Sequence, residues 1–263
     1  MSDWLAFDLY EGDSPLVISM PHSGLRLTAE VEQGLTEQAK VLPDTDWHIP
    51  QLYQMAQDLG ATCISANYSR YVIDLNRPFN DESLYSSKTT GLFPDILFAD
   101  QPVFKTHMTP SADHREACKE HIWQAYHGAI AEQLERVKQQ YGYAILLDAH
   151  SIASHVPMLF AGQLPDFNWG TNEGKSCPES LLQVAQDSVD MQHFTQVSNG
   201  RFKGGYITRH YGQPEQNTYA IQLELSQGAY LQAGSYNLCD VKLATVRPVI
   251  QRLLQGLSNW RPA

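Results

Sequence analysis

Residues 143–151 read Tyr-Ala-Ile-Leu-Leu-Asp-Ala-His-Ser. The run at 143–147 has the length and composition of a strand buried on both faces. It passes directly into Asp148-Ala149-His150-Ser151. A strand apolar on both faces belongs in a parallel sheet covered from both sides. Working outward, similar short runs predict strands at 16–20 (Leu-Val-Ile-Ser-Met), 62–65, 71–75 (Tyr-Val-Ile-Asp-Leu) and 158–160. Residues 220–225 (Ala-Ile-Gln-Leu-Glu-Leu) alternate, as a half-buried strand does. Helical patterns lie between them. Residues 47–59 follow Asp44-Thr45-Asp46, a run of good N-caps, with Pro50 in the first turn. Over 115–140, Ile122, Tyr126, Ile130, Leu134 and Val137 recur at helical spacing. Residues 179–191 and 236–254 complete the set, the last with a kink or split expected at Pro248. Strands alternating with helices predict one three-layer α/β domain over 1–263, with a mostly parallel, mixed central sheet. The stretches 77–113 and 161–206 resist assignment, and loops of that length usually carry function. Ligands of such folds sit beyond the carboxyl ends of the strands.

The chain has 263 residues, 43% hydrophobic and 18% charged, which fits neither disorder nor a coiled coil. A net charge of −11 disfavours nucleic acid and anionic membrane as partners. No apolar stretch is long enough to cross a bilayer, and no leader-like pattern opens the chain. Cys63, Cys118, Cys177 and Cys239 form no C-x-x-C pair, which fits free thiols in a reducing cytoplasm. Ten histidines against eighteen Lys plus Arg prompt a search for a metal site.

His22 and His150 each follow a predicted strand, and each precedes a serine. A rigid strand end fixes an imidazole well enough to ligate a metal, and it equally suits a core or capping histidine. Asp44 and Asp46 open a predicted helix, so either is a cap or a carboxylate ligand. Glu224 sits late in an apolar strand. It is either a solvated strand residue beside Gln222 or a buried carboxylate with a task, such as general base. Arg70, Arg77 and Arg209 stand beside predicted strand ends or Gly-rich turns, where a guanidinium fork suits a carboxylate. His114, His121 and His127 are seven and six residues apart, which predicts packing or surface positions on the long helix. No G-x-S-x-G, Walker loop or G-x-G-x-x-G is present.

Taken in order, Pro21-His22-Ser23-Gly24, Asp44-Thr45-Asp46-Trp47, Ser69-Arg70-Tyr71 through Asn76-Arg77-Pro78, Asp148-Ala149-His150-Ser151, Asn199 through Gly205, Thr208 through Gly212 and Gln222-Leu223-Glu224-Leu225 resemble the N-formylglutamate deformylases (amidohydrolases) of bacterial histidine degradation. The likeness runs from Leu16 to about Tyr230. It implies a fold similar to zinc carboxypeptidases and phosphorylase/hydrolase-like proteins. It also implies hydrolysis of N-formyl-L-glutamate to formate and L-glutamate with one divalent ion, Zn2+ by preference. On this resemblance His22, His150 and Asp46 are the metal ligands, with Asp44 in reserve, and Glu224 is the general base. Arg70 polarises the scissile carbonyl, and Asn76 with Arg77 takes a substrate carboxylate. The acidic ligand does not lie three residues after His22, a departure from the carboxypeptidases. A dianionic substrate calls for two cationic anchors, for which Arg77 and Arg209 are the expectation. A monomer or small homo-oligomer is expected. Two other readings use the same residues: a hydrolase of another N-acyl acidic amino acid, and a non-catalytic binder of an acidic metabolite.

Overall fold

A computed structural model describes residues 4–82 and 89–262. Seven strands form one mixed sheet: β1 (Phe7–Tyr10), β2 (Leu16–Met20), β3 (Thr62–Ala66), β4 (Ala144–Ile152), β5 (Phe167–Gly170), β6 (Gln196–Ser198) and β7 (Thr218–Ser226). Their spatial order is β1-β3-β2-β4-β7-β5-β6. The four inner strands β3, β2, β4 and β7 run parallel, while β1 and β5 pair antiparallel with β3 and β7.

Alternation along the inner strands divides the core between two faces. Leu16, Ile18, Ile145, Leu147, Ile221 and Leu223 point to one side and pack on α5 (Glu179–Asp187) and α7 (Asp240–Asn259). Val17, Ala144, Leu146 and Ala220 point to the other. There they meet Ile122, Tyr126, Ile130, Leu134 and Val137 of the long helical segment, as the spacing predicted. Fully burying one such aliphatic side chain contributes roughly 1.5–3 kcal/mol. The parity has a direct consequence: Asp148 and His150 continue the face of Ala144 and Leu146, and Gln222 and Glu224 continue that of Ala220.

Several expectations are corrected. Residues 71–75, apolar apart from Asp74, are buried but form a looped segment, not a strand. Asp74 Oδ1 accepts the Asn76 amide at 2.9 Å and turns the chain, while β3 already has β1 and β2 beside it. Residues 158–160 form a turn, with the Leu159 and Phe160 amides both donating to Val156 O. The predicted helix at 47–59 is broken: α2 covers only Ile49–Leu52 and a 3-10 turn follows at Gln54–Ala56. The C-terminal helix runs unbroken through Pro248. Strand β7 is buried along its whole length rather than half-buried. The long helix starts at a Ser111 cap, widens to a π turn at Lys119–Trp123 between α3 (Ala112–Cys118) and α4 (Gln124–Tyr141), and stops at Gly142 with φ +82°. A short α1 (Ala29–Gly34) and α6 (Tyr206–Tyr211) complete the helices used below.

Candidate metal centre and active site

His22 lies two residues beyond β2, and its carbonyl accepts the Asp46 amide at 3.0 Å, which ties the 44–48 turn to the strand end. His150 stands near the carboxyl end of β4. In the parallel register it sits beside Glu224 of β7, and Asp148 sits beside Gln222. All four of His22, Asp46, His150 and Glu224 are buried.

The two imidazoles share one arrangement. His22 Nε2 lies 2.7 Å from Asp74 Oδ1, and His150 Nε2 lies 2.9 Å from Asp148 Oδ1. An Nε2–H donated to each carboxylate leaves the Nδ1 lone pair pointing inward, and His150 Nε2 also lies 2.9 Å from the Asn76 amide nitrogen. Asp46 Oδ2 stands 3.9 Å from His22 Nδ1 and 3.0 Å from His150 Nδ1. One donor atom from each of the three residues falls within 4.8 Å of the others. Electron pairs gathered in a buried space repel unless a cation or a proton lies among them. Two imidazole nitrogens and one carboxylate are also the donor set of a catalytic zinc-type site, so the residues fit a divalent ion.

The choice between the two aspartates is made by their partners. Asp44 Oδ2 accepts the Tyr71 hydroxyl at 2.8 Å and the Phe98 amide at 3.1 Å, and it is not in the donor group. Asp46 caps no helix, since residue His48, with φ +59°, holds that place.

The carboxylates behind the histidines are themselves anchored. Asp74 also takes Arg70 Nη2 at 2.6 Å. Burial alone would raise its pKa, but the charges of His22, Arg77 and Arg70 hold it well below the usual range. Asp148 Oδ2 accepts the Thr208 hydroxyl at 3.1 Å. Burial lowers the pKa of His22, helped by Arg70. For His150 burial pulls the same way, yet Asp148 and Asp46 outweigh it and the pKa is raised. Burial pushes Glu224 up to about 8, with Asp46 adding to the rise. Gln222 Oε1 accepts the Gly205 amide at 2.7 Å, and its Nε2 reaches Glu224 Oε2 at 3.5 Å.

A cavity of roughly 600 Å³, open mouth included, is lined by His22, Asp46, His150 and Glu224, by Arg70, Asn76 and Arg77, and by an apolar rim of Phe98, Ile152, Leu159 and Phe202. Arg70 leaves its buried Nε without a partner among the described residues, a donor poised for a ligand. Arg77 donates to Thr90 O at 2.7 Å, to Asn76 O at 2.9 Å and to Thr89 Oγ1 at 3.1 Å. Asn76 Oδ1 accepts the Ile207 amide at 2.8 Å, which docks α6 against the site. Arg209 is not part of the lining; its Nε donates to Gly204 O at 2.7 Å. Arg201 lines the cavity instead, its Nε bonded to Leu159 O. Sequence reasoning passed over Asp74, Asp148 and Arg201. Asp148 was findable, since a residue two before His150 shares its strand face.

Residues 14–231 match the family described as N-formylglutamate amidohydrolase. The chain belongs to that family. The matched span holds every residue of the site. Two relatives named N-formylglutamate deformylase bracket the chain closely. That of Pseudomonas aeruginosa is 52% identical over 263 residues, covering 99% of this chain and 98% of the relative. That of Pseudomonas putida is 50% identical over 253 residues, covering 95% of each. The crystal structure of an N-formylglutamate amidohydrolase from Ralstonia eutropha JMP134 superposes with a TM-score of 0.82 at 21% identity, over 95% of this chain and 96% of that one. A gene product of Agrobacterium tumefaciens gives a TM-score of 0.70 at 12% identity, over 95% of both chains. At those identities the likeness speaks for the α/β fold.

Proposed function

We propose that the chain hydrolyses N-formyl-L-glutamate to L-glutamate and formate, using one divalent ion, Zn2+ by its donor set. The observation that carries the reading is the convergence of His22 Nδ1, Asp46 Oδ2 and His150 Nδ1 beside Glu224 in a cavity bearing arginines. It is joined by the names of the two relatives that match nearly end to end. The same reading places the reaction in the cytoplasm and in histidine degradation.

A bound divalent ion supplies Lewis acidity toward water and toward the formyl oxygen. Glu224 takes a proton from the attacking water on its carboxylate and returns it to the amine nitrogen as the C–N bond breaks. Burial raises the Glu224 carboxyl above its ordinary value, which makes its carboxylate a stronger proton acceptor. Arg70 Nε donates to the formyl oxygen as negative charge gathers there. Asp74 and Asp148 fix the two imidazoles in one tautomer. Arg77 and Arg201 set positive charge where two substrate carboxylates arrive, Asn76 locks the 74–77 turn to α6, and Arg209 steadies the Gly204 turn. In a chain of net charge −11, that local cationic field draws in a small dianion.

The test is metal analysis together with formate release from N-formyl-L-glutamate, with and without chelator. Full activity in metal-free protein would falsify the metal's part, and absence of formate from the loaded enzyme removes the substrate assignment.

A further inference from the structure

A second cavity, of about 700 Å³ with its open mouth included, adjoins the first. Its lining includes Pro43, Ala99, Ala153, Val156 and Pro157 and is largely apolar. The two cavities have Phe98, Ser151 and Ile152 in common. Ser151 and Ile152 belong to the buried end of β4 and are fixed by the sheet. Phe98 is different: it comes from a loop, is only partly buried, and packs within the satellite apolar cluster of Ile152, Val156 and Leu164. Its ring lies 4.9 Å from the Arg70 guanidinium. Phe98 is therefore the one loop-borne residue of the three that lie between the catalytic cavity and an apolar space large enough for several methylene groups.

We infer that Phe98 is the residue that restricts the acyl group, and that the space behind it would take longer acyl chains if the ring were removed. The inference rests on the proposed amidohydrolase reading and deepens it. Arg77, Arg201 and Phe202 line the catalytic cavity alone, so the carboxylate-bearing half of the substrate lies on their side. The carbonyl faces Arg70. The substituent on the carbonyl carbon, a hydrogen in a formyl group, is then left facing the Phe98 partition. A methyl or ethyl group in that place collides with the ring.

The experiment compares kcat/KM for N-formyl-, N-acetyl- and N-propionyl-L-glutamate in wild type, Phe98→Ala and Phe98→Leu. An extra methylene accommodated in an apolar pocket changes kcat/KM by about 10- to 200-fold. Phe98→Ala accordingly raises the acetyl-to-formyl and propionyl-to-formyl ratios by about tenfold or more, and Phe98→Leu raises them less. Adding Val156→Phe, at a buried residue that lines the second cavity and not the first, cancels the propionyl gain in the Phe98→Ala background. Unchanged ratios in both Phe98 variants with formyl turnover still measurable overturn the inference. So does a propionyl gain that survives Val156→Phe. Failure of the wild type to release formate overturns instead the underlying reading, so the two failures are distinguishable. Should Phe98→Ala not fold, the ratios of Phe98→Leu decide.

Discussion

Asp74→Asn replaces one oxygen by an isosteric amide nitrogen at a fully buried position. The native carboxylate meets three donors: His22 Nε2 at 2.7 Å, Arg70 Nη2 at 2.6 Å and the Asn76 amide at 2.9 Å. An asparagine can accept on its oxygen only. If the NH2 group faces His22, it donates to Nε2 and forces the proton onto Nδ1, which removes the lone pair aimed at the metal position. If it faces Arg70, two donors oppose each other and the guanidinium loses its closest counter-charge. Orienting carboxylates of this kind typically contribute about 10- to 100-fold in metal affinity. That range converts to roughly 1.4–2.8 kcal/mol. Leaving Arg70 buried without its partner costs about 3–5 kcal/mol of folding stability. The expected outcome is therefore zinc affinity reduced at least tenfold in competition with a chromophoric chelator, and a urea midpoint of the metal-free protein clearly below wild type. Metal affinity within twofold of wild type refutes the argument that Asp74 sets the tautomer of His22.

Glu224→Gln retains the metal, because Glu224 is not among the three donors, but lowers formate release by about 10²- to 10⁴-fold; near-normal turnover with full metal content removes Glu224 as the base. Arg77→Lys loses the planar fork and raises KM by roughly tenfold with a smaller change in kcat, and an unchanged KM takes Arg77 out of substrate binding. Burial pushes the pKa of His127 down to about 3 from an ordinary 6.5, with Nε2 held on Leu75 O at 2.9 Å. Between those values the unfolded chain binds one more proton than the folded one, so stability is complete above about 6.5 and falls on acidification by about 1.4 kcal/mol per pH unit. His127→Gln flattens that slope between about pH 6 and 4 in urea titrations, and equal slopes contradict the assignment. Gly205→Ala drives a methyl against the Asn76 amide and displaces the 74–77 turn, lowering kcat/KM by about tenfold or more with the metal retained; wild-type kinetics exclude the close approach as a constraint.

The parallel core of the sheet was legible because β2, β3, β4 and β7 are short apolar runs with helical periodicity between them. His22 lies beyond the end of β2 as expected, whereas His150 lies inside β4, which runs on to Ile152. The 71–75 segment misled for a physical reason: burial makes a loop as apolar as a strand, and what bends it is a carboxylate accepting the amide two residues on. Strands β1 and β6 escaped notice because they are short and partly exposed, so no apolar run marks them. The choice of Asp46 over Asp44 depends on which one Tyr71 and Phe98 engage, a contact between distant parts of the chain. Arg201 and Arg209 differ in the same way, since only the folding of the 200–205 turn decides which faces the cavity.

The register between β4 and β7 places His150 next to Glu224 through nine consecutive residue pairs. The backbone separation of these two positions is thereby set by the interstrand spacing of about 4.8 Å, a property of peptide hydrogen bonding. Cavity-lining groups such as Phe98, Arg77, Leu159, Arg201 and Phe202 ride on connecting segments instead. The proposed base and one proposed metal ligand thus ride on the sheet, while much of the cavity wall rides on connecting segments. A library that randomises the segments 89–102, 153–163 and 200–204 while sparing the strands explores new N-acyl substrates on an intact hydrolytic frame.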